Sequence, residues 1–442
     1  MTQRQTAALI LAAGKGTRLN SARPKVLHEL GGRPLLGFAL EAAREAGAAR
    51  CLVVVGHGAE AVEERFGGEA EFVLQAEQRG TGHAVLQCRE ALAGHEGEVL
   101  VLYGDTPLLR GETLRRMAEH KRESRADLVL LSAPVEVPGI VVRDAAGQVR
   151  RVVEATDASP EELAIRERNT GVYLLDASLL WKLLDRVGDD NAQGEIYITT
   201  IIELAVGDGL RVDALALDEA EEALGVNTRA ELATAGDALR RRTLNRLMAD
   251  GVTVVDPAAT WVDVEVEVGM DTVIEPGCVI QGPTRIGPGC HLKPGCVVES
   301  SELGAEVALG PNAHLRPGCR IGDGSRIGNF VEVKNSVLGA GVKADHLSYI
   351  GDADVGAGAS FGCGSIVVNY DGREKHRTRV GERAFIGCNV NLVAPVEVEA
   401  DSFVAAGSTI TSRVPADSLA VARAKQRNIE GWVSRRRSKR ED

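Results

Sequence analysis

Ile280-Gln281-Gly282-Pro283-Thr284-Arg285-Ile286-Gly287-Pro288-Gly289-Cys290-His291-Leu292 sets an aliphatic side chain at every sixth position, with Gly and Pro between. The period extends both ways. It runs through Val268, Ile274, Ile280, Ile286, Leu292 and Val298, then restarts after a five-residue step with Leu303, Leu309, Leu315, Ile321, Ile327 and Val333. Leu338, Ala344, Ile350, Val355, Phe361 and Val367 follow, and then Val380, Ile386, Leu392, Val398, Val404 and Ile410. A period of six is neither that of a helix nor that of an alternating strand. It marks a parallel β-helix, in which each hexapeptide makes one short side of a prism and its aliphatic residue points inward. Gly and Pro-Gly supply the corners. Cys278, Cys290, Cys296 and Cys319 each stand four residues after an inward aliphatic, a slot for small side chains, and are expected to fill core space.

Ahead of the repeat the pattern is different. Leu9–Ala13, Cys51–Val55, Phe72–Gln75, Val99–Tyr103 and Leu128–Ser132 are short aliphatic runs, separated by amphipathic stretches such as Leu35–Ala46 and Glu112–Glu123. That alternation predicts an α/β domain with a parallel sheet, whose ligands bind at the carboxyl ends of strands. A Pro-free, Ala/Leu/Arg-rich segment from Thr228 to Asp250 predicts one connecting helix, stopped at Gly251. The expected domains are residues 1–227, a linker helix over 228–250, and a β-helix over 251–442 with a C-terminal tail.

The chain of 442 residues is 44% hydrophobic and only 3% aromatic, with 50 glycines. These values fit a globular protein rich in tight corners and exclude a disordered one. A net charge of −12 argues against nucleic-acid binding. The basic run Arg435-Arg436-Arg437-Ser438-Lys439-Arg440 is expected to be a solvated tail. Ala7–Ala13 is too short to span a bilayer and passes straight into a glycine loop, so neither a signal peptide nor a membrane partner is expected. Eight cysteines without a C-x-x-C pair or zinc spacing point to reduced thiols and a cytoplasmic location.

Two regions carry chemistry. Leu11-Ala12-Ala13-Gly14-Lys15-Gly16-Thr17-Arg18, followed by Pro24-Lys25, is a glycine loop after a strand with cationic side chains, suited to phosphate oxygens. Its spacing is neither a P-loop nor a dinucleotide fingerprint. Tyr103-Gly104-Asp105 puts a carboxylate at a strand end, where it could hold a cation on phosphates or simply make a turn. In the repeat region Leu315-Arg316-Pro317-Gly318, Glu332-Val333-Lys334 and His346-Leu347-Ser348-Tyr349 carry polar groups that prism packing does not need. Asn369–Lys375 breaks the register between Val367 and Val380 and is expected to protrude, as binding loops of such arrays do.

Taken with Gln75-Ala76-Glu77-Gln78-Arg79-Gly80-Thr81-Gly82, Asn169-Thr170-Gly171 and Gly225-Val226-Asn227, these motifs resemble a known family over nearly the whole chain. It is the family of bifunctional N-acetylglucosamine-1-phosphate uridylyltransferases/glucosamine-1-phosphate N-acetyltransferases. The resemblance implies a nucleotidyltransferase domain with a mixed, mostly parallel, Rossmann-like sheet, followed by a left-handed parallel β-helix that assembles as a homotrimer. It implies acetyl transfer from acetyl-CoA to glucosamine-1-phosphate, then uridylyl transfer from UTP with release of pyrophosphate, supplying cell-wall precursors.

On the same resemblance Leu11, Ala12, Ala13, Gly14, Gln75, Gly80 and Thr81 hold the uridine nucleotide, beside Tyr103 and Gly104. Arg18 and Lys25 stabilise charge on the transferring phosphate. Gly139, Glu154 and Asn169 hold the sugar, and Asp105 and Asn227 hold magnesium. In the rear domain His346 is the general base. Arg316, Lys334 and Lys375 take the sugar phosphate, with Tyr349, Ser360, Asn369 and Tyr370 on the sugar. Acetyl-CoA lies along Cys363, Cys388, Ala406 and Arg423, in contact also with Asn369 and Tyr370. The chain departs from the family's usual pattern at Ile140, where an Arg is expected in a longer segment, and at Ser360, Cys363 and Cys388, where Asn, Ala and Ser are commoner. Two other readings stay open: a sugar-1-phosphate nucleotidyltransferase whose β-helix is regulatory or trimerising, and a scaffold whose repeats only trimerise.

Overall fold

The computed structural model describes residues 5–438, which divide into two compact units between Leu239 and Arg240. The division falls inside one uninterrupted helix, Arg229–Ala249.

The first unit is built on a mixed sheet. Its strands are β1 (Thr6–Leu11), β2 (Ala48–Val55), β3 (Glu71–Leu74), β4 (Glu98–Tyr103), β5 (Leu128–Ala133), β6 (Gly139–Arg143), β7 (Val149–Glu154), β8 (Arg168–Asp176) and β9 (Val212–Ala216). The order across the sheet is β9-β5-β8-β4-β1-β2-β3, with the β6–β7 hairpin attached to β8. Strands β4, β1, β2 and β3 run parallel, as the alternating pattern predicts. β8 runs antiparallel to both its neighbours, so the sheet is not purely parallel.

Side chains of β1 alternate between two cores. Ala7, Leu9 and Leu11 join one, and Ala8, Ile10 and Ala12 the other. Helices therefore cover both faces, and the central strands are continuous apolar runs. Each buried Leu or Ile among them contributes roughly 1.5–3 kcal/mol. The chain leaves β1 toward β2 on one side and returns as β4 on the other, which opens a crevice above the carboxyl end of β1.

The second unit is a parallel β-helix with three sheets of ten, nine and eight strands. Successive coils stack inward residue on inward residue: Ile274 pairs with Leu292, Ile280 with Val298, and Ile286 with Leu303. Every aliphatic position of the six-residue series is buried except Val268, which is half-buried against the same core. Val254 and Val262 begin the series earlier than the repeat shows, because the eight-residue step between them hides the period. Leu244 and Leu247 of the helix join this core as well. Cys278, Cys290, Cys296 and Cys319 are buried in the small slot, which elsewhere holds Thr272, Ser325 or Ser336. Thr272 hydroxyl donates to the Gly287 carbonyl at 2.9 Å, so a polar side chain is tolerated there because the corner supplies an acceptor.

Trp432–Ser438 form a short helix whose Arg436 lies over the Trp432 ring at 5.1 Å. The basic run is thus partly helical, and Trp432–Arg437 are exposed. Its Lys439 and Arg440 fall outside the described residues. No helix among the described residues is long and apolar enough to cross a membrane.

Candidate functional site

In the first unit the ends of β1, β3 and β4 converge on a cavity of about 340 Å³. Leu11, Ala12, Ala13, Gly14, Lys25, Gln75, Gly80, Thr81, Tyr103, Asp105 and Asn227 line it, and Val26, Gln78, Ala84 and Glu195 complete the wall. The loop after β1 is anchored on both sides. Ala12 N–H donates to the Val54 carbonyl at 2.9 Å, and Gly104 N–H to the Leu11 carbonyl at 3.0 Å. Buried Gln75 donates to the Gly80 carbonyl at 3.2 Å, and Gln78 to the Ala13 carbonyl at 3.2 Å. These two amides hold the 75–82 segment over the glycine loop.

Asn227 comes from far along the chain and is fixed by a helix cap. Glu231 accepts from the N–H groups of Asn227 and Thr228 at 2.7 Å each, while Thr228 hydroxyl accepts from Glu231 N–H at 3.1 Å. Such a cap is worth about 1 kcal/mol. Val226 N–H donates to the Asp105 carbonyl at 2.9 Å and ties this turn to the end of β4. The Lys25 ammonium then sits between the two side chains, in a close ion pair with Asp105 and donating to Asn227 Oδ1 at 2.7 Å.

This arrangement bears on a divalent ion. A carboxylate and an amide oxygen, brought together from opposite ends of the domain, already converge on one cation. Two protein oxygens are what magnesium takes when phosphates and water fill its other positions. Asp105 and Asn227 are thus donors of the kind that suits an ion shared with phosphates.

Gly139, Glu154 and Asn169 form a second cluster beside Tyr103. Gly139 pairs with Glu154 across the hairpin, and a Cβ on Gly139 would stand 3.1 Å from the Asn169 Cβ. Asn169 donates to Tyr173 Oη at 2.6 Å and accepts from Gly171 N–H at 3.2 Å. Gly171 adopts φ +81°, and any side chain there would overlap the Tyr103 ring. Burial pushes the Glu154 carboxyl above its usual range, with the Asp157 and Glu195 carboxylates adding to the shift. Ile140 is buried in the hairpin core, so the departure at this position is filled with packing rather than charge. Arg18 is exposed on the short turn Thr17–Leu19 and is not among the cavity-lining residues.

In the second unit the residues singled out by sequence lie on the outside of the prism. Arg316 and Lys334 follow paired inward residues, Leu315 and Val333, on adjacent coils. Lys375 is brought toward them by the 369–375 loop, a small hairpin closed by the Tyr370–Lys375 bridge. Asp371 staples that loop, accepting from the N–H groups of Arg373 and Glu374 at 2.8 Å each and facing His376 at 2.7 Å. The Lys334 ammonium is held below its ordinary range, first by the Lys375 ammonium and then by loss of water, with Arg316 adding to the effect. Asp352 opposes it from 3.9 Å. Asp352 accepts from Asn335 at 2.6 Å and from Asn369 at 2.5 Å, and Asn369 also reaches Tyr349 Oη at 3.4 Å. Three cations and a network of neutral donors thus share one edge of the prism.

His346 ends the strand Lys343–His346, and Tyr349 opens the next, Tyr349–Gly351, across a corner. His346 Nδ1 lies 2.7 Å from Asn329 Oδ1 of the preceding coil. An amide oxygen there favours the proton on Nδ1 and leaves the Nε2 lone pair free. Further along the same corner Arg423 donates to the Ala406 carbonyl at 2.8 Å. Cys363 and Cys388 are exposed, and Tyr370 is 55% exposed. Ser360 is half-buried, between Lys343 and Phe385 in the stack.

Gln78, Glu195, Asn329, Asn335 and Asp352 were not singled out by sequence reasoning. The Asn329–His346 and Asn335–Asp352 pairs are each 17 residues apart, one coil of this prism. That spacing is the signal that would have found them.

Residues 8–170 match the family model of the MobA-like NTP transferase domain. Residues 265–300 and 300–335 each match the bacterial transferase hexapeptide (six repeats). The matches correspond to the α/β unit and to the repeats, which form a left-handed parallel β-helix. Over nearly full length the chain is similar to curated proteins named bifunctional protein GlmU. It is 50% identical to that of Pelobacter propionicus over 98% of this chain and 99% of the relative. Identity is 48% to that of Trichlorobacter lovleyi, over 98% and 99% respectively, and 45% to that of a Geobacillus strain, over 97% of each. At such identity along its whole length, the chain belongs to the GlmU family of bifunctional proteins.

Proposed function

We infer that the chain makes UDP-N-acetylglucosamine in two steps on two separate sites, as a cytosolic homotrimer. The observation that carries the reading is the Lys25 ammonium held between Asp105 and Asn227 at a nucleotide-sized cavity, on a chain that also presents His346 and three clustered cations on a β-helix.

In the β-helix unit the amine of glucosamine-1-phosphate attacks the thioester carbonyl of acetyl-CoA. His346 Nε2 takes the amine proton while Asn329 holds Nδ1, and CoA leaves as its thiolate. Arg316, Lys334 and Lys375 grip the phosphate, whose two negative charges relieve the repulsion between the lysines. Tyr349, Ser360, Asn369 and Tyr370 orient the sugar. The CoA arm lies along Cys363, Cys388 and Ala406, with Arg423 toward its phosphates.

In the front unit a phosphate oxygen of N-acetylglucosamine-1-phosphate attacks the α-phosphorus of UTP in line, and pyrophosphate leaves. Leu11–Gly14, Gln75, Gly80, Thr81, Tyr103 and Gly104 enclose the uridine nucleotide. Gly139, Glu154 and Asn169 seat the sugar. Lys25 and Arg18 balance charge on the transferring phosphate, with little call for an acid or base. Asp105 and Asn227 hold magnesium, which when bound neutralises the triphosphate.

The test is Asp105→Asn with both products followed. Pyrophosphate release should fall by about 10²-fold or more, because metal-assisted charge neutralisation is worth several kcal/mol. CoA release should not change. Loss of both activities in a folded variant would contradict the separation of sites.

A further inference from the structure

The corner that carries His346 continues as a column of side chains. Asn329 pairs with His346. Lys343 and Ala344 pair with Ser360 and Phe361, so two residues further on Cys363 stands beside His346. Ser360 and Phe361 pair in turn with Phe385 and Ile386, which puts Cys388 beside Cys363. The hydrogen bonding carries the register through the corner: Asn389 N–H donates to the Cys363 carbonyl at 2.8 Å, and Gly407 N–H to the Cys388 carbonyl at 2.8 Å. Each cysteine is followed by a left-handed residue, Gly364 at φ +75° and Asn389 at φ +52°, so the two corners turn alike and their side chains leave from equivalent positions.

Residues stacked on neighbouring strands lie about 4.8 Å apart, inside the ~4.4–6.8 Å that separates the Cα atoms of a disulfide. Both thiols are exposed, whereas the other six of the eight cysteines are buried. Cys278 and Cys296 make an instructive contrast. They too stand on adjacent coils, with Val279 N–H donating to the Cys296 carbonyl at 2.9 Å, yet both are sealed in the core where no reagent reaches them.

We propose that Cys363 and Cys388 form a reversible disulfide with each other that closes the acetyl-CoA path at this corner, switching off acetyl transfer while leaving uridylyl transfer on. The proposal rests on the reading of this corner as the acetyl-CoA site. The oxidant is a low-molecular-weight disulfide. The Cys363 thiol gives up its proton, for which the imidazole one coil away is a ready acceptor. Its thiolate attacks one sulfur of the small disulfide, whose S–S bond breaks and releases one thiolate, which is then protonated. The Cys388 thiol next gives up its proton to solvent, and its thiolate attacks the Cys363 sulfur of the mixed disulfide and expels the second small thiolate, which takes up a proton in turn. Two protein thiols are oxidised, and one small disulfide is reduced to two thiols. The cross-link ties two adjacent coils together where the pantetheine arm must pass, and a reducing thiol reverses it.

The experiment treats the full-length reduced enzyme with glutathione disulfide, alkylates it, and maps peptides without reductant. A peptide pair joined through Cys363 and Cys388 is expected. CoA release should fall in proportion to the fraction joined, pyrophosphate release should stay constant, and dithiothreitol should restore the loss. Cys363→Ala and Cys388→Ser, each measured against its own reduced form, should lose this sensitivity. Recovery of the two cysteines only as free thiols or separate glutathione adducts overturns the proposal, as does full CoA release from the joined form. The same oxidative loss in both variants overturns it too. A reduced wild-type enzyme that releases no CoA overturns instead the acetyl-CoA reading on which the proposal stands.

Discussion

The α/β unit closes its site within one chain, whereas the β-helix unit leaves its site residues on an open surface. In front, strand ends, the 75–82 segment and the turn at Asn227 surround about 340 Å³, and the Lys25 and Asp105 side chains are only 13% and 16% exposed. Behind, Arg316 and His346 are surface side chains and Tyr370 is more than half exposed. The difference follows from architecture. A twisted sheet whose strand order reverses beside β1 makes a crevice without further help. A prism has shallow faces, because its core is filled by its own inward residues, and a second surface would deepen them. A closed ring of identical prisms would supply one such surface per site, with every interface equivalent.

This contrast can be broken from either side. Removing divalent metal with a chelator has the largest expected effect: pyrophosphate release should stop, and CoA release should continue at its full rate. A chelator that stops both would show that the rear site is not independent of the front. His346→Ala comes next. CoA release should fall by about 10²–10⁴-fold, the usual contribution of a general base, with pyrophosphate release from supplied N-acetylglucosamine-1-phosphate unchanged. The smallest effect separates binding from folding. Lys375→Ala should raise the KM for glucosamine-1-phosphate about 10- to 100-fold, as a charged hydrogen bond is worth ~1.5–3 kcal/mol. Its thermal stability should not drop, because the substitution relieves the like-charge pressure on Lys334. A Lys375→Ala protein that melts earlier but binds substrate normally would make the loop structural.

How much of this was legible in the sequence differs between the two units as well. The inward series of the β-helix could be read almost completely, since one residue in six has no alternative to the core. It failed at the two ends: at Val254 and Val262, where a longer connection hides the period, and at Val414 and Ala420, which stack on Val398 and Val404 beyond the last residue of the series. The front cavity was legible where motifs are contiguous, as in Leu11–Gly14 and Tyr103–Asp105. Glu195 was not, because it reaches the cavity from an irregular stretch between helices. Local pattern did not show which strand runs antiparallel, although the mixed, mostly parallel sheet that the resemblance implied is the one found. Asn329 and Asp352 carry no local signal. Their partners are one coil away, and 17 residues becomes a meaningful distance only once the prism's circumference is known.

The central claim is that the front site is complete in one chain and the rear site is not. Sedimentation of the working enzyme through a substrate layer, with CoA release followed optically across the band, tests it most directly. The account predicts that acetyl transfer travels with a species near three times the 46.8 kDa chain and disappears from any fraction dissociated to single chains, which retain uridylyl transfer. Full acetyl transfer travelling at the mass of one chain would contradict it.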